Sequence, residues 1–127
     1  MATLTVAQVK VLRRFAAEEA SRTRQGRRWL ELLRIHQEEL FQRYAASPTL
    51  RRHIDQASAE AASLIESLDS NHPRVIDQAA IDQVRTALTE LDTQGSAELR
   101  GATAEIRQDL QAALGKTILQ ALGPRQP

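Results

Sequence analysis

Residues 6–46, VAQVKVLRRFAAEEASRTRQGRRWLELLRIHQEELFQRYAA, hold the pattern on which the fold turns. Val11, Phe15, Gly26, Trp29, Leu33, Leu40 and Tyr44 recur in steps of three or four residues or sums of those steps, the spacing of one face of an α-helix. Read as unbroken, the stretch is a single helix of about 40 residues, roughly 60 Å long at 1.5 Å per residue. Thr5 is the expected N-cap. Ser47-Pro48 is the expected stop, because a proline disfavours helical geometry in the residue before it.

Working outward, Ser47 as N-cap and Pro48 as first helical residue open a second helix over residues 48–69, with Leu50, Ile54, Leu64, Ile65 and Leu68 as its large apolar residues. The turn Ser70-Asn71-His72-Pro73 follows. A third helix is expected over residues 73–122. Its stripe reads Leu88, Leu91, Gly95, Leu99, Ala102, Ile106, Leu110, Ala113, Thr117, Ala121, a 3-4-4 repeat that runs nearly straight. A competing reading kinks or splits this helix at Gln94-Gly95-Ser96, with Gly95 as a left-handed C′ residue and Ser96 as the next N-cap. Apolar/polar alternation is nowhere sustained over a strand's length. The fold class is therefore all-α: one domain over residues 1–122, an elongated antiparallel bundle resembling a coiled coil, with helices in long-short-long order and a mobile tail at residues 123–127.

Composition narrows the chemistry. The chain has 127 residues, no cysteine and only four aromatic rings. Leu, Ile, Val and Phe make up 30 residues, enough to fold, yet 20 alanines thin the core so that burial against a partner would add stability. Disulfides and thiolate metal sites are excluded, and a cytoplasmic setting is the default expectation. The start, Met1-Ala2-Thr3-Leu4-Thr5, lacks the order of a secretory signal, and no run reaches the roughly 18 apolar residues of a membrane span. His36, His53 and His72 are not spaced as ligands in a helical bundle, so no metal is expected, and no cofactor motif is present. Neither a nucleophile setting nor a phosphate-cradling glycine loop occurs, which points away from an enzyme.

Charge is divided unevenly. Residues 1–56 carry a net +5 and residues 57–127 a net −4, which favours antiparallel docking of the first helix on the last, within one chain or between copies. Lys10, Arg13, Arg14, Arg24, Arg27, Arg28 and Arg34 share the face away from the apolar stripe. Spacings such as Arg14 with Glu18 and Arg27 with Glu31 provide local partners, so a solvated face competes with a phosphate-binding one. Glu19, Arg22 and Gln37 lie on or beside the stripe, either as exposed edges of the core or as devices that set the register of a helix pair.

The leading functional expectation is a non-enzymatic helical interaction module, a small bacterial-type adaptor, chaperone or regulatory subunit that binds a protein partner or itself. Trp29, Leu33, Leu40, Phe41, Leu99, Ile106 and Leu110 are the expected contact residues. The alternative is a nucleic-acid-associated accessory protein that places Lys10, Arg13, Arg24, Arg27 and Arg28 on phosphates. A third reading is a helical bundle that carries a small ligand between its helices.

Overall fold

A computed structural model describes residues 4–126, so Met1–Thr3 and Pro127, the ends of the expected domain and tail, lie outside the described residues. Among them are six α-helices and no strand beyond one isolated bridge: α1 (Val6–Glu18), α2 (Arg24–Ala46), α3 (Pro48–Glu66), α4 (Gln78–Gln94), α5 (Ala97–Ala112) and α6 (Ile118–Leu122). The all-α class stands. The three-helix, coiled-coil-like arrangement does not, because both long helices are divided.

The expected helix over residues 6–46 breaks at 19–23. Thr5 caps α1 as expected, through a capping box with Gln8. A short 3-10 turn, Ala20–Arg22, then reverses the chain, and the Thr23 hydroxyl caps α2 by accepting from the Gly26 amide at 2.9 Å. Gly26 belongs to the apolar stripe for a reason other than helix–helix burial. Its missing side chain lets the Ala20 backbone press against α2; a Cβ there would lie 2.1 Å from the Ala20 carbonyl oxygen. The reversal lays α1 along α3, where Val11 and Phe15 are half-buried and line a groove with Ile65 and Leu68.

Residues 73–122 divide twice. Residues 73–77 are not helical; the Ile76 amide donates to the Lys116 carbonyl at 2.7 Å, and the Gly115 amide donates back to the Ile76 carbonyl at 2.8 Å. Asp77, rather than Pro73, opens α4, by accepting from the Ala80 amide. The split at Gly95 is real, and Ser96 caps α5, in line with the competing reading. Gly95 is extended (φ −88°, ψ 164°), not left-handed. It is required there by crowding, since a Cβ would come within 2.7 Å of the Leu91 carbonyl and 2.8 Å of a Leu99 methyl. The second split falls at Gly115, whose φ of 81° is left-handed.

Side-chain pairings set the orientation of α2 to α5. Ser96 at the start of α5 meets Glu39 late in α2, while Asp109 late in α5 meets Trp29 early in α2, so the two run antiparallel. With short turns from α2 to α3 and from α4 to α5, helices α2–α5 form an up-down-up-down bundle, and α1 packs on the outside of α3. The core has two centres. Leu50, Leu88, Leu91 and Leu99 fill one end, backed by Leu40, Ile54 and Ile106; Leu64, Ile76, Ile81 and Ala113 fill the other, backed by Leu110 and Ala121. No described helix exceeds the 23 residues of α2. The two long rods expected from sequence are folded back into shorter helices.

Candidate interaction surface

Helix α2 is tied to α5 mainly by polar groups at its edge. The Gln25 amide and the Trp29 indole N–H both donate to the Asp109 carboxylate at 2.9 Å. Arg28 forks onto Glu105 with two bonds of 2.8 and 2.9 Å. Glu39 accepts from the Ser96 amide at 2.7 Å and its hydroxyl at 2.6 Å, so a carboxylate sits at the positive N-terminus of α5. On the α3 side, the Tyr44 hydroxyl donates to Asp55 at 2.8 Å and Arg51 donates to the Tyr44 and Ala45 carbonyls.

These ties hold α2 over the core without closing the space beneath it. An apolar cleft of about 240 Å³ remains, walled by Trp29, Leu33 and Leu40 of α2, Leu91 of α4, and Leu99 and Ile106 of α5. Leu33 stands at its edge, 56% exposed. Further round the helix Phe41 is 69% exposed and Ile35 is 52% exposed, and Gln37, between Leu33 and Phe41, is also exposed. Three large apolar side chains thus face water on one helix. Leu33 and Phe41 lie on one side of it, about 80° apart at 100° per residue, whereas Ile35 points to the other side.

The residues read as contact candidates separate into two groups. Leu33 and Phe41 lie open, and Trp29 and Leu40 are half-buried beside them. Leu99 is a core residue at 3% exposure, and Ile106 and Leu110 pack against the core clusters. Sequence reasoning misses Ile35, which falls on the polar side of the stripe, where periodicity assigns no role. Nothing in its local sequence marks it.

The basic set loses its common face. Lys10 and Arg13 belong to α1, and Arg24, Arg27 and Arg28 to α2, beyond a chain reversal that ends helical phase between them. Arg28 is engaged by Glu105 and Glu31, and Arg14 by Glu18. Among the described residues no group of three or more His, Asp or Glu side chains could hold a metal ion, and no helix is long and apolar enough to cross a membrane. His53 is half-buried on α3 with a buried Nδ1 that has no hydrogen-bond partner.

Three carboxylates at the helix junctions titrate abnormally. The Ser96 donors hold Glu39 below the usual carboxylate range, and the Arg28 guanidinium does the same for Glu105. Burial pushes Asp92 upward, but the Thr103 hydroxyl and the Arg107 guanidinium outweigh it and leave the group depressed. A carboxyl depressed in the folded state contributes stability above its unfolded value, about 4, and loses it as pH falls through the folded value. Urea titrations are therefore expected to show the unfolding midpoint dropping between about pH 5 and pH 3. The drop should be shallower in Glu39→Gln and Asp92→Asn, each of which removes one of these linked protons; an equal drop in both variants would show that other groups govern acid sensitivity.

No family model, curated protein or solved structure matches this chain.

Proposed function

We propose that the protein is a non-enzymatic helical interaction module, of the adaptor, chaperone or regulatory-subunit kind, that self-associates through α2. The observation that supports this reading is the exposure of Leu33 and Phe41 on one side of α2, with Leu33 at the edge of an apolar cleft that the chain's own side chains leave unfilled. Burying such side chains is worth about 1.5–3 kcal/mol each, so a surface of this kind associates when a complementary one is offered. The neighbouring polar ties keep α2 ordered in the free protein, which lowers the entropy lost on docking.

Sedimentation velocity across a concentration series tests it. The wild-type chain is expected to gain mass with concentration, and a Leu33→Glu/Phe41→Glu double variant to remain monomeric with an unchanged helical circular-dichroism spectrum. Because both sites are exposed, the double variant should lose little stability, about 0.5 kcal/mol or less per site. A wild-type chain that stays monomeric up to about 0.5 mM, where a dimer of micromolar affinity would be almost fully formed, removes the proposal.

A further inference from the structure

We infer that the occupant of the α2 surface is α2 of a second copy, paired antiparallel about a two-fold axis at Gln37; the inference rests on the self-association proposed above and specifies its geometry. Leu33, Gln37 and Phe41 form one i, i+4, i+8 ridge, spanning an arc of about 80° at 100° per residue. All three are exposed. Leu33 and Phe41 stand four residues, about 6 Å, to either side of Gln37. In an antiparallel pair centred on Gln37, the residue n places before the centre faces the residue n places after it in the other copy. Leu33 of each copy therefore meets Phe41 of the other, twice over, which is the self-complementarity an isologous interface requires. At the axis the two Gln37 carboxamides face each other, each with a donor and an acceptor.

The charges on the flank agree with this register. Arg34 and Glu38 lie about 60° and 100° round the helix from Gln37, both to the same side. Both are exposed, and neither forms an ion pair among the described residues, although they stand four apart. In a two-fold antiparallel pair, like flanks face each other. Arg34 of one copy then lies about 3 Å along the axis from Glu38 of the other, within reach of an arginine side chain, and the relation occurs twice. A parallel two-fold pair would instead turn unlike flanks toward each other and place the Arg34 and Glu38 residues of the two copies on opposite sides of the interface. Ridges of the i±4 class cross at about 50°, so contact is confined to about three turns, the extent of the Leu33–Gln37–Phe41 ridge. An interface of that length falls below about 1,200 Å², the range of weak, reversible association, and dimerisation in the micromolar range is expected.

Charge exchange between copies tests the register with the full chain. Arg34→Glu alone sets carboxylate against carboxylate at both contacts, and Glu38→Arg alone sets guanidinium against guanidinium. Each single variant is expected to dimerise about tenfold more weakly than wild type in sedimentation velocity at low salt, with the difference fading at high salt. An equimolar mixture of the two variants restores opposite charges across the interface, so a heterodimer is expected, identified by its mass in native mass spectrometry. Recovery on mixing excludes misfolding as the cause of the single-variant defects. Two results overturn the inference: single variants that dimerise like wild type, or a mixture that fails to yield the heterodimer. If either occurs while Leu33→Glu/Phe41→Glu still abolishes association, the register fails and self-association through α2 stands. A wild-type chain that never associates removes both.

Discussion

Gly26→Ala is expected to destabilise the protein by about 2–3 kcal/mol, measured as a fall in the urea midpoint, although the substitution adds a better helix former to a helix. The reason is local. Gly26 lies in the first turn of α2 at the point where the preceding 3-10 turn crosses it, and an alanine Cβ would lie 2.1 Å from the Ala20 carbonyl oxygen, 2.6 Å from its Cα and 2.7 Å from its carbonyl carbon. All three obstacles are backbone. No rotamer change relieves them, so either the reversal opens or the Thr23 cap is lost, and both outcomes loosen α1 from α3. Gly101 provides the control. It is an exposed interior position of α5 where an added Cβ would meet nothing within 4 Å, so Gly101→Ala should raise stability by about 0.5–1 kcal/mol through helix propensity alone. Opposite signs for one chemical change at two helical glycines would separate packing from propensity. A neutral Gly26→Ala would mean that the reversal between α1 and α2 does not hold in solution as described.

Leu50→Ala is expected to cost about 3–4 kcal/mol, the larger single-site effect. Leu50 is 0% exposed and packs with Leu88, Leu91 and Leu99 where α3, α4 and α5 converge. Three features keep the site from collapsing around the void. Ser47 caps α3 three residues before it, Ser96 caps α5 beside Leu99, and Glu39 clamps that second cap to α2. The helix ends are fixed, so the cavity term adds to the lost transfer free energy. Leu33→Ala, by contrast, removes a side chain of the same size from an exposed edge and should change stability by about 0.5 kcal/mol or less. Urea unfolding followed by circular dichroism checks both. A cost below about 1 kcal/mol at Leu50 would show that the end of the bundle repacks freely, contrary to the fixed caps described above.

Several features of the fold are legible in the chain itself. Thr5, Ser47-Pro48 and Ser96 each announce a helix start, because an N-cap is a local hydrogen bond between a side chain and an amide three residues on. The breaks are harder to read. In the sequence the apolar stripe continues at helical spacing through Gly26, because spacing records only which residues are apolar and carries no mark of the reversal at 19–23 that ends helical phase. The signals present there are Thr23 three residues before Gly26, and the lack of a large apolar residue from Ala16 to Arg28. At residues 73–77 a proline suggests a first helical turn. The pairing of Ile76 with Gly115 and Lys116, some 40 residues away, overrides it, and no local pattern carries that information.

The candidate surface divides in the same way. That Trp29, Leu33, Leu40 and Phe41 lie on the apolar side of one helix follows from spacing; that Leu33 and Phe41 are open while Leu99 is enclosed does not. Asp109 and Glu39, which anchor α2, are indistinguishable in sequence from ordinary helix charges, because their partners lie on other helices.

From the amino-acid order alone came the helical class, the capping roles of Thr5 and Ser47 and the apolar stripe of each segment, because all of these arise from interactions within about four residues. Where the long segments fold back, and which part of the apolar face they leave open, was settled only by tertiary packing. Those outcomes depend on contacts between residues tens of positions apart, such as Gln25 with Asp109 and Glu19 with Arg125, whose energies enter only once the chain has brought them together.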